Sequence, residues 1–268
     1  MLWRQLRYLT QVLPWLGLAL VLTSISLLVR RQIHFPTVTT KERQVLSGDF
    51  DTVVIDPGHG GQDEGAAAHN LKEKVMTLDL AQRLSGELRK AGLRSLLTRD
   101  SDTYVSLADR AMLANAVHNA IFVSLHCDYT SESNAKGIEI YRCAQKAGET
   151  DTLIQISDSE QPIDQVEEKF SGCLSESIAR TTHADVRGAR VANFFVTRMV
   201  AYPAILVECG FLTNPDEAKH LSSVEYRQQL AEALAAGIVS YHSLVSQSEL
   251  KSVKNESPRE MTSVSLSK

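Results

Sequence analysis

Through the middle of the chain, short apolar runs alternate with longer amphipathic stretches, and the two periods predict different elements. Residues 52–55 form an apolar, β-branched strand, and residues 73–91 form a helix with Ala81, Leu84, Leu88 and Ala91 three and four apart on one face. Gly92 supplies the stop expected after a last helical turn. The pattern then repeats: LRSLLT as a strand, a helix over 106–119, AIFVSLH as a strand, and GIEIYRC as another. A helix through 169–181, the run NFFVT and the strand AILVE follow. The last predicted element is a long helix from about residue 224, with Tyr226, Leu230, Leu234, Ile238 and Tyr241 on one face. Strands interleaved with covering helices predict an α/β fold with a mainly parallel sheet that carries an antiparallel or edge strand.

Both ends depart from this rhythm. The run 12–29 holds no charged residue and as a helix would be about 27 Å long, close to one bilayer core. Arg4 and Arg7 precede it and Arg30 and Arg31 follow, so the flanking charge leaves its orientation open. It ends in Ser-Leu-Leu-Val-Arg-Arg rather than in a small-x-small cleavage site, which favours an uncleaved signal anchor over a cleaved signal peptide or a buried core helix. The chain thus divides into an anchor over 1–31, a polar linker over 32–50, a folded domain over 51–245, and a Ser-rich, charged tail over 246–268 that is expected to be disordered. Within the domain, 145–168 is an acidic insertion too long for an ordinary connection, either a functional loop or a solvated insertion.

Composition narrows the function. Lys and Arg total 28 against 32 Asp and Glu, a formal net charge of -4, so no bulk positive field draws the chain to nucleic acid. The cysteines, Cys127, Cys143, Cys173 and Cys209, show no C-x-x-C pair, which excludes a zinc ribbon and leaves any disulfide unassigned.

In an open α/β sheet the ligand site lies beyond the carboxyl ends of the strands. Three runs end there in chemistry: TVVID leads into Pro57-Gly58-His59-Gly60-Gly61, AIFVSL into His126, and AILV into Glu208, while Glu73 opens the first helix. Two imidazoles and a carboxylate are a usual set for a catalytic zinc, so His59, Glu73 and His126 are candidate ligands and Glu208 is left as general base. Singly, each has an ordinary reading: a surface histidine in a turn, a helix N-terminal acid, a hydrogen-bonded strand-end histidine, a paired structural carboxylate. Their spacing fits no short zinc motif.

Six blocks in order, VVIDPGHGGQDEGA, KEKVMTLDLAQRL, TRDSDTYVSLADRAMLAN, FVSLHCD, the pair Arg187-Gly188, and PAILVECGFLTNPDEAKHL, resemble the zinc-dependent N-acetylmuramoyl-L-alanine amidases of bacterial cell walls. The resemblance covers about residues 52–242. It implies a twisted, mostly parallel six-stranded sheet with helices on both faces, and one Zn2+ held by His59, Glu73 and His126. It also implies Glu208 as catalytic base and peptidoglycan as substrate, cut between the lactyl group of N-acetylmuramic acid and L-alanine during wall remodelling or cell separation. Cys127 and Thr77 depart from the residues common there. With the anchor, it places the domain in the periplasm or otherwise outside the cytoplasmic membrane, with an activator or division protein as a further partner and no role for nucleic acid. The competing expectation is a non-catalytic, membrane-tethered peptidoglycan-binding scaffold.

Overall fold

The computed structural model describes residues 50–143 and 163–256. The apolar run 12–29, most of the linker, the bulk of the acidic insertion and the last residues of the tail lie outside them. Among the described residues no helix is long and apolar enough to cross a membrane.

Eight strands alternate with six helices among the described residues. In chain order these are β1 (Thr52–Pro57), the two-residue strands β2 (Ala67–Ala68) and β3 (Leu71–Lys72), α1 (Glu73–Lys90), β4 (Arg94–Leu97), α2 (Leu107–Asn115), β5 (Ala120–Asp128) and β6 (Ile138–Arg142). Then follow α3 (Ile163–Thr182), β7 (Val186–Val191), α4 (Phe195–Met199), β8 (Ala204–Phe211), α5 (Pro215–Ser222) and α6 (Val224–Glu256). Six of the strands form one sheet in the order β4-β1-β5-β8-β6-β7, and β2 and β3 make a separate hairpin. β4, β1, β5 and β8 run parallel; β6 is antiparallel to β8, and β7 runs with β6.

Each position of β1 is buried, as a central strand covered on both faces requires. One face is packed by Leu80, Leu84 and Leu88 of α1, Phe170, Leu174 and Ile178 of α3, and Leu230, Leu234 and Ile238 of α6. Each such fully buried side chain contributes roughly 1.5–3 kcal/mol by area. A Cβ at Gly237 would lie 2.9 Å from Leu174 Cα, so α3 and α6 meet almost backbone to backbone. The opposite face has a smaller core, with Val54, Phe122 and Ala204 under Ala111 and Ala114 of α2 and Val196 of α4. Side chains alternate along each strand, so Asp56, Ser124, His126 and Glu208 continue this second face toward the strand ends.

Several boundaries shift from the sequence reading. The helix expected over 106–119 is capped by Ser106, whose hydroxyl accepts from Asp109 N at 3.1 Å, and stops at Asn115. Asn119, at φ 58°, then turns the chain into β5. β7 was not anticipated: its VRGARV pattern is mostly exposed and carries no apolar alternation. The run NFFVT contributes to a short helix, α4.

The final helix continues past Ser246, where a disordered tail was expected to begin, to Glu256. Ser246, at that boundary, donates to the carbonyl four residues back, as Ser240 and Ser243 do before it. Residues 163–168 of the expected insertion belong to α3, and Glu167 is buried, accepting from Cys143 N and Ala204 N at 3.1 and 3.0 Å. Cys143 and Glu167 thus meet at Ala204, the start of β8 and the strand end opposite Glu208. No disulfide links the four cysteines, and Cys127, Cys143 and Cys209 are buried.

Candidate metal centre

The site begins with the backbone after β1. Pro57 ends the strand, and the next turns place His59 at φ 60° and Gly60 at φ 131°. A non-glycine residue at positive φ is strained, and two buried arginines hold it. Arg110 donates to the carbonyls of Pro57 and His59 at 2.6 and 2.7 Å, and Arg99 donates to those of Pro57 and Gly58 at 3.0 and 2.8 Å. Arg110 is neutralised by the buried Asp56, 2.7 Å away, which also accepts from Thr98 and Ser124. A paired and fully hydrogen-bonded buried charge of this kind is tolerable; removing one partner would cost about 3–5 kcal/mol.

Glu73, the first residue of α1, is delivered by the β2–β3 hairpin and faces back toward this loop. Its Oε2 accepts from Ala66 N at 2.7 Å and lies 3.1 Å from His59 Nε2; its Oε1 accepts from Cys127 N at 3.0 Å and lies 2.9 Å from His126 Nδ1. The ligand atoms of His59, Glu73 and His126 all fall within 4.8 Å of one another. Burial works to raise the Glu73 carboxyl, but hydrogen bonds and charge from His126 and His59 outweigh it and hold the group well below the usual range.

Two glycines make this approach possible. A Cβ on Gly58 would sit 2.3 Å from His126 Cε1, and one on Gly65, at φ +65°, would sit 2.5 Å from Glu73 Oε2 and 2.6 Å from His59 Cδ2. Asp63 Oδ2 lies 2.9 Å from His59 Nδ1, orienting the ring so that Nε2 faces the other two groups. Burial favours the neutral His59 ring, yet Glu73 and Asp63 together raise its proton affinity.

Glu208 enters from β8, where it pairs in register with His126 of β5 on one side and Glu139 of β6 on the other. Its Oε2 is buried without a hydrogen-bond partner among the described residues. Burial pushes this carboxyl well up, and Glu73, Asp128 and Glu139 push the same way. Two imidazoles, one carboxylate and an orphaned carboxylate beside them suit a divalent cation of the zinc type together with a proton acceptor.

All four residues selected from the strand ends and the first helix thus come together. The sequence reading missed Asp63, four residues after His59, and the Asp56–Arg110–Arg99 support beneath the loop. Asp56 carried the same signal as Glu208, a carboxylate ending an apolar strand, but its arginine partner, Arg110, lies in the later block LADRA.

The sequence profile of the N-acetylmuramoyl-L-alanine amidase family matches residues 53–240. The chain is 32% identical over 209 residues to the amidase LytC of Bacillus subtilis, covering 77% of this chain and 39% of LytC, so it spans well under half of that relative. It is 29% identical to AmiA of Escherichia coli, over 75% of this chain and 80% of AmiA. Among solved structures, an N-acetylmuramoyl-L-alanine amidase from Clostridium difficile 630 superposes with a TM-score of 0.63 at 34% identity, covering 73% of this chain and 98% of that one. AmiC2 of Nostoc punctiforme superposes at 0.62 and 32% identity, over 72% and 97% of the respective chains. With the profile spanning most of the chain and the same fold in these relatives, the chain belongs to the N-acetylmuramoyl-L-alanine amidase family.

Proposed function

We propose that the chain is a zinc-dependent hydrolase of peptidoglycan that cuts the amide between the lactyl group of N-acetylmuramic acid and L-alanine of the stem peptide. It would act outside the cytoplasmic membrane in wall remodelling or cell separation, held there by the apolar segment 12–29, with an activator or division protein as a further partner. The observation that carries the reading is the convergence of His59, Glu73 and His126 within 4.8 Å, beside the unpartnered carboxylate oxygen of Glu208.

His59, Glu73 and His126 would hold the ion. Zinc bound there supplies Lewis acidity, making water acidic enough to attack near neutral pH and drawing electron density from the amide carbonyl. Glu208 takes a proton from the attacking water at Oε2 and returns it to the leaving alanine nitrogen. Asp63 keeps His59 in the tautomer whose Nε2 lone pair faces the site, and Glu73 is held ionised by both imidazoles. A binding scaffold needs none of this alignment, which disfavours the non-catalytic alternative.

The test is digestion of purified peptidoglycan by the full chain, with added zinc or with chelator, followed by mass spectrometry. Release of intact stem peptides with a free L-alanine amine, abolished by chelator and restored by zinc, is expected. Zinc-loaded protein that releases no such peptides would overturn the proposal.

A further inference from the structure

Arg187 and Arg190 have no part in the chemistry assigned above, yet they stand in line with it. Across β5, β8 and β6 the register sets His126 beside Glu208 and Glu208 beside Glu139. From β7, the next strand, Arg187 Nη1 reaches Glu139 Oε1 at 2.7 Å and Arg190 Nη2 reaches the same oxygen at 3.3 Å. The Glu139 side chain is 3% exposed, whereas those of Arg187 and Arg190 are 40% and 46% exposed. Tyr141 donates its hydroxyl to the other Glu139 oxygen.

Two guanidiniums therefore share one buried carboxylate, leaving a positive charge in excess. Each carries five N–H donors, and among the described residues Glu139 is the ion-pair partner of both. Arg187 is also held in place. Its stem runs past Gly137, where at φ +104° a Cβ would lie 3.2 Å from Arg187 Cγ, and its guanidinium lies 5.6 Å from the centroid of the Phe211 ring. A fixed guanidinium fork with open donors is the usual receptor for a carboxylate.

The location indicates which carboxylate. Asp128 and Glu139, the acids that with Glu73 act on Glu208, would by themselves repel an acidic leaving peptide. Directly opposed residues on neighbouring strands have Cβ atoms about 5 Å apart, so Glu139, on which the two arginine heads converge, is one such step from Glu208. In the stem peptide the second residue is glutamate linked onward through its side chain. Its free α-carboxylate can lie roughly 6 Å from the scissile nitrogen in an extended chain.

We infer that Arg187 and Arg190 form a subsite for the leaving peptide that binds the free α-carboxylate of the second stem residue. This rests on the amidase reading given above. The subsite makes the enzyme selective for stem peptides whose α-carboxylate is free over those in which it is amidated.

The test compares kcat/KM on two soluble muropeptides that differ only in that group, free carboxylate or amide. The wild-type chain is expected to prefer the free acid, and Arg187→Gln and Arg190→Gln are each expected to reduce that preference about tenfold, chiefly through KM, with zinc content unchanged. Because Arg187→Gln also strips Glu139 of its partner, the double variant Glu139→Gln/Arg187→Gln is measured beside it. If arginine serves only to neutralise Glu139, the double variant regains the wild-type preference, and the subsite is overturned. Loss of preference persisting in the double variant supports it. Equal loss on both substrates in every variant also overturns it. A wild-type chain that releases the stem peptide from neither substrate fails the amidase reading itself, and the subsite with it.

Discussion

His126 on β5 and Glu208 on β8 are partners in the parallel register, so the imidazole and the carboxylate leave the same face of the sheet one strand apart. One strand further, Glu208 faces Glu139 across an antiparallel ladder. The carboxylate thus sits between a candidate metal ligand and a second acid, and burial leaves one of its oxygens without a partner. That placement suits a group that must accept a proton, and it has measurable consequences.

In the metal-free protein Glu208 keeps its proton above the ordinary carboxyl value of 4.5, because burial and the neighbouring acids disfavour its charge. Above about pH 4.5 the folded state then binds a proton that the unfolded chain has released, so stability falls as pH rises, by up to about 1.4 kcal/mol per pH unit from this group. Urea unfolding of the metal-free wild type and of Glu208→Gln, from about pH 4 to about pH 8, should show the wild type losing stability relative to the variant. Parallel curves would remove Glu208 as the source. The same substitution should lower turnover at least about 100-fold at unchanged zinc content.

Gly58 and Gly86 should respond in opposite ways to alanine. At Gly58 the new methyl would meet the His126 ring at 2.3–2.7 Å, while at Gly86, inside α1, it would meet nothing within 4 Å. Gly58→Ala should therefore displace His126 and weaken zinc binding with the circular dichroism spectrum retained. Gly86→Ala should raise stability by about 0.5–1 kcal/mol. Normal zinc affinity in Gly58→Ala would mean that the ring does not need that space.

Asp63 acts on the site through His59, whose Nδ1 lies 2.9 Å from its carboxylate, and its other oxygen accepts from Gly65 N at 3.1 Å. Replacing it with alanine should lower zinc affinity by about 10–100-fold, as read by competition with a chelating dye, without abolishing the site. An unchanged affinity would show that the Arg110 and Arg99 contacts to the loop suffice to orient the ring.

Much of the architecture was legible because it follows from short-range periodicity. The uninterrupted apolar runs of β1, β5 and β8 can be buried only between covering helices, and the 3.6-residue spacing of Leu80, Leu84 and Leu88 marks the face that covers them. The rule that ligands gather at strand ends was enough to select His59, His126 and Glu208, with Glu73 added from the start of α1. Where periodicity was weak the reading was incomplete. The exposed edge strand β7 has no apolar face to announce it, and the Ser-rich, charged composition after Ser246 suggested disorder where α6 continues to Glu256.

The sequence by itself determined most of the strands and helices, β7 and the end of α6 excepted, since these depend on residues a few positions apart. Tertiary structure alone decided that β6 and β7 run against the rest of the sheet, that Glu139 lies beside Glu208, and that Arg187 and Arg190 meet on one buried carboxylate. It also decided that Gly58 and Gly65 must lack side chains. These contacts join residues distant in sequence and depend on strand order and register, which are set by how both faces of the whole sheet bury their side chains at once.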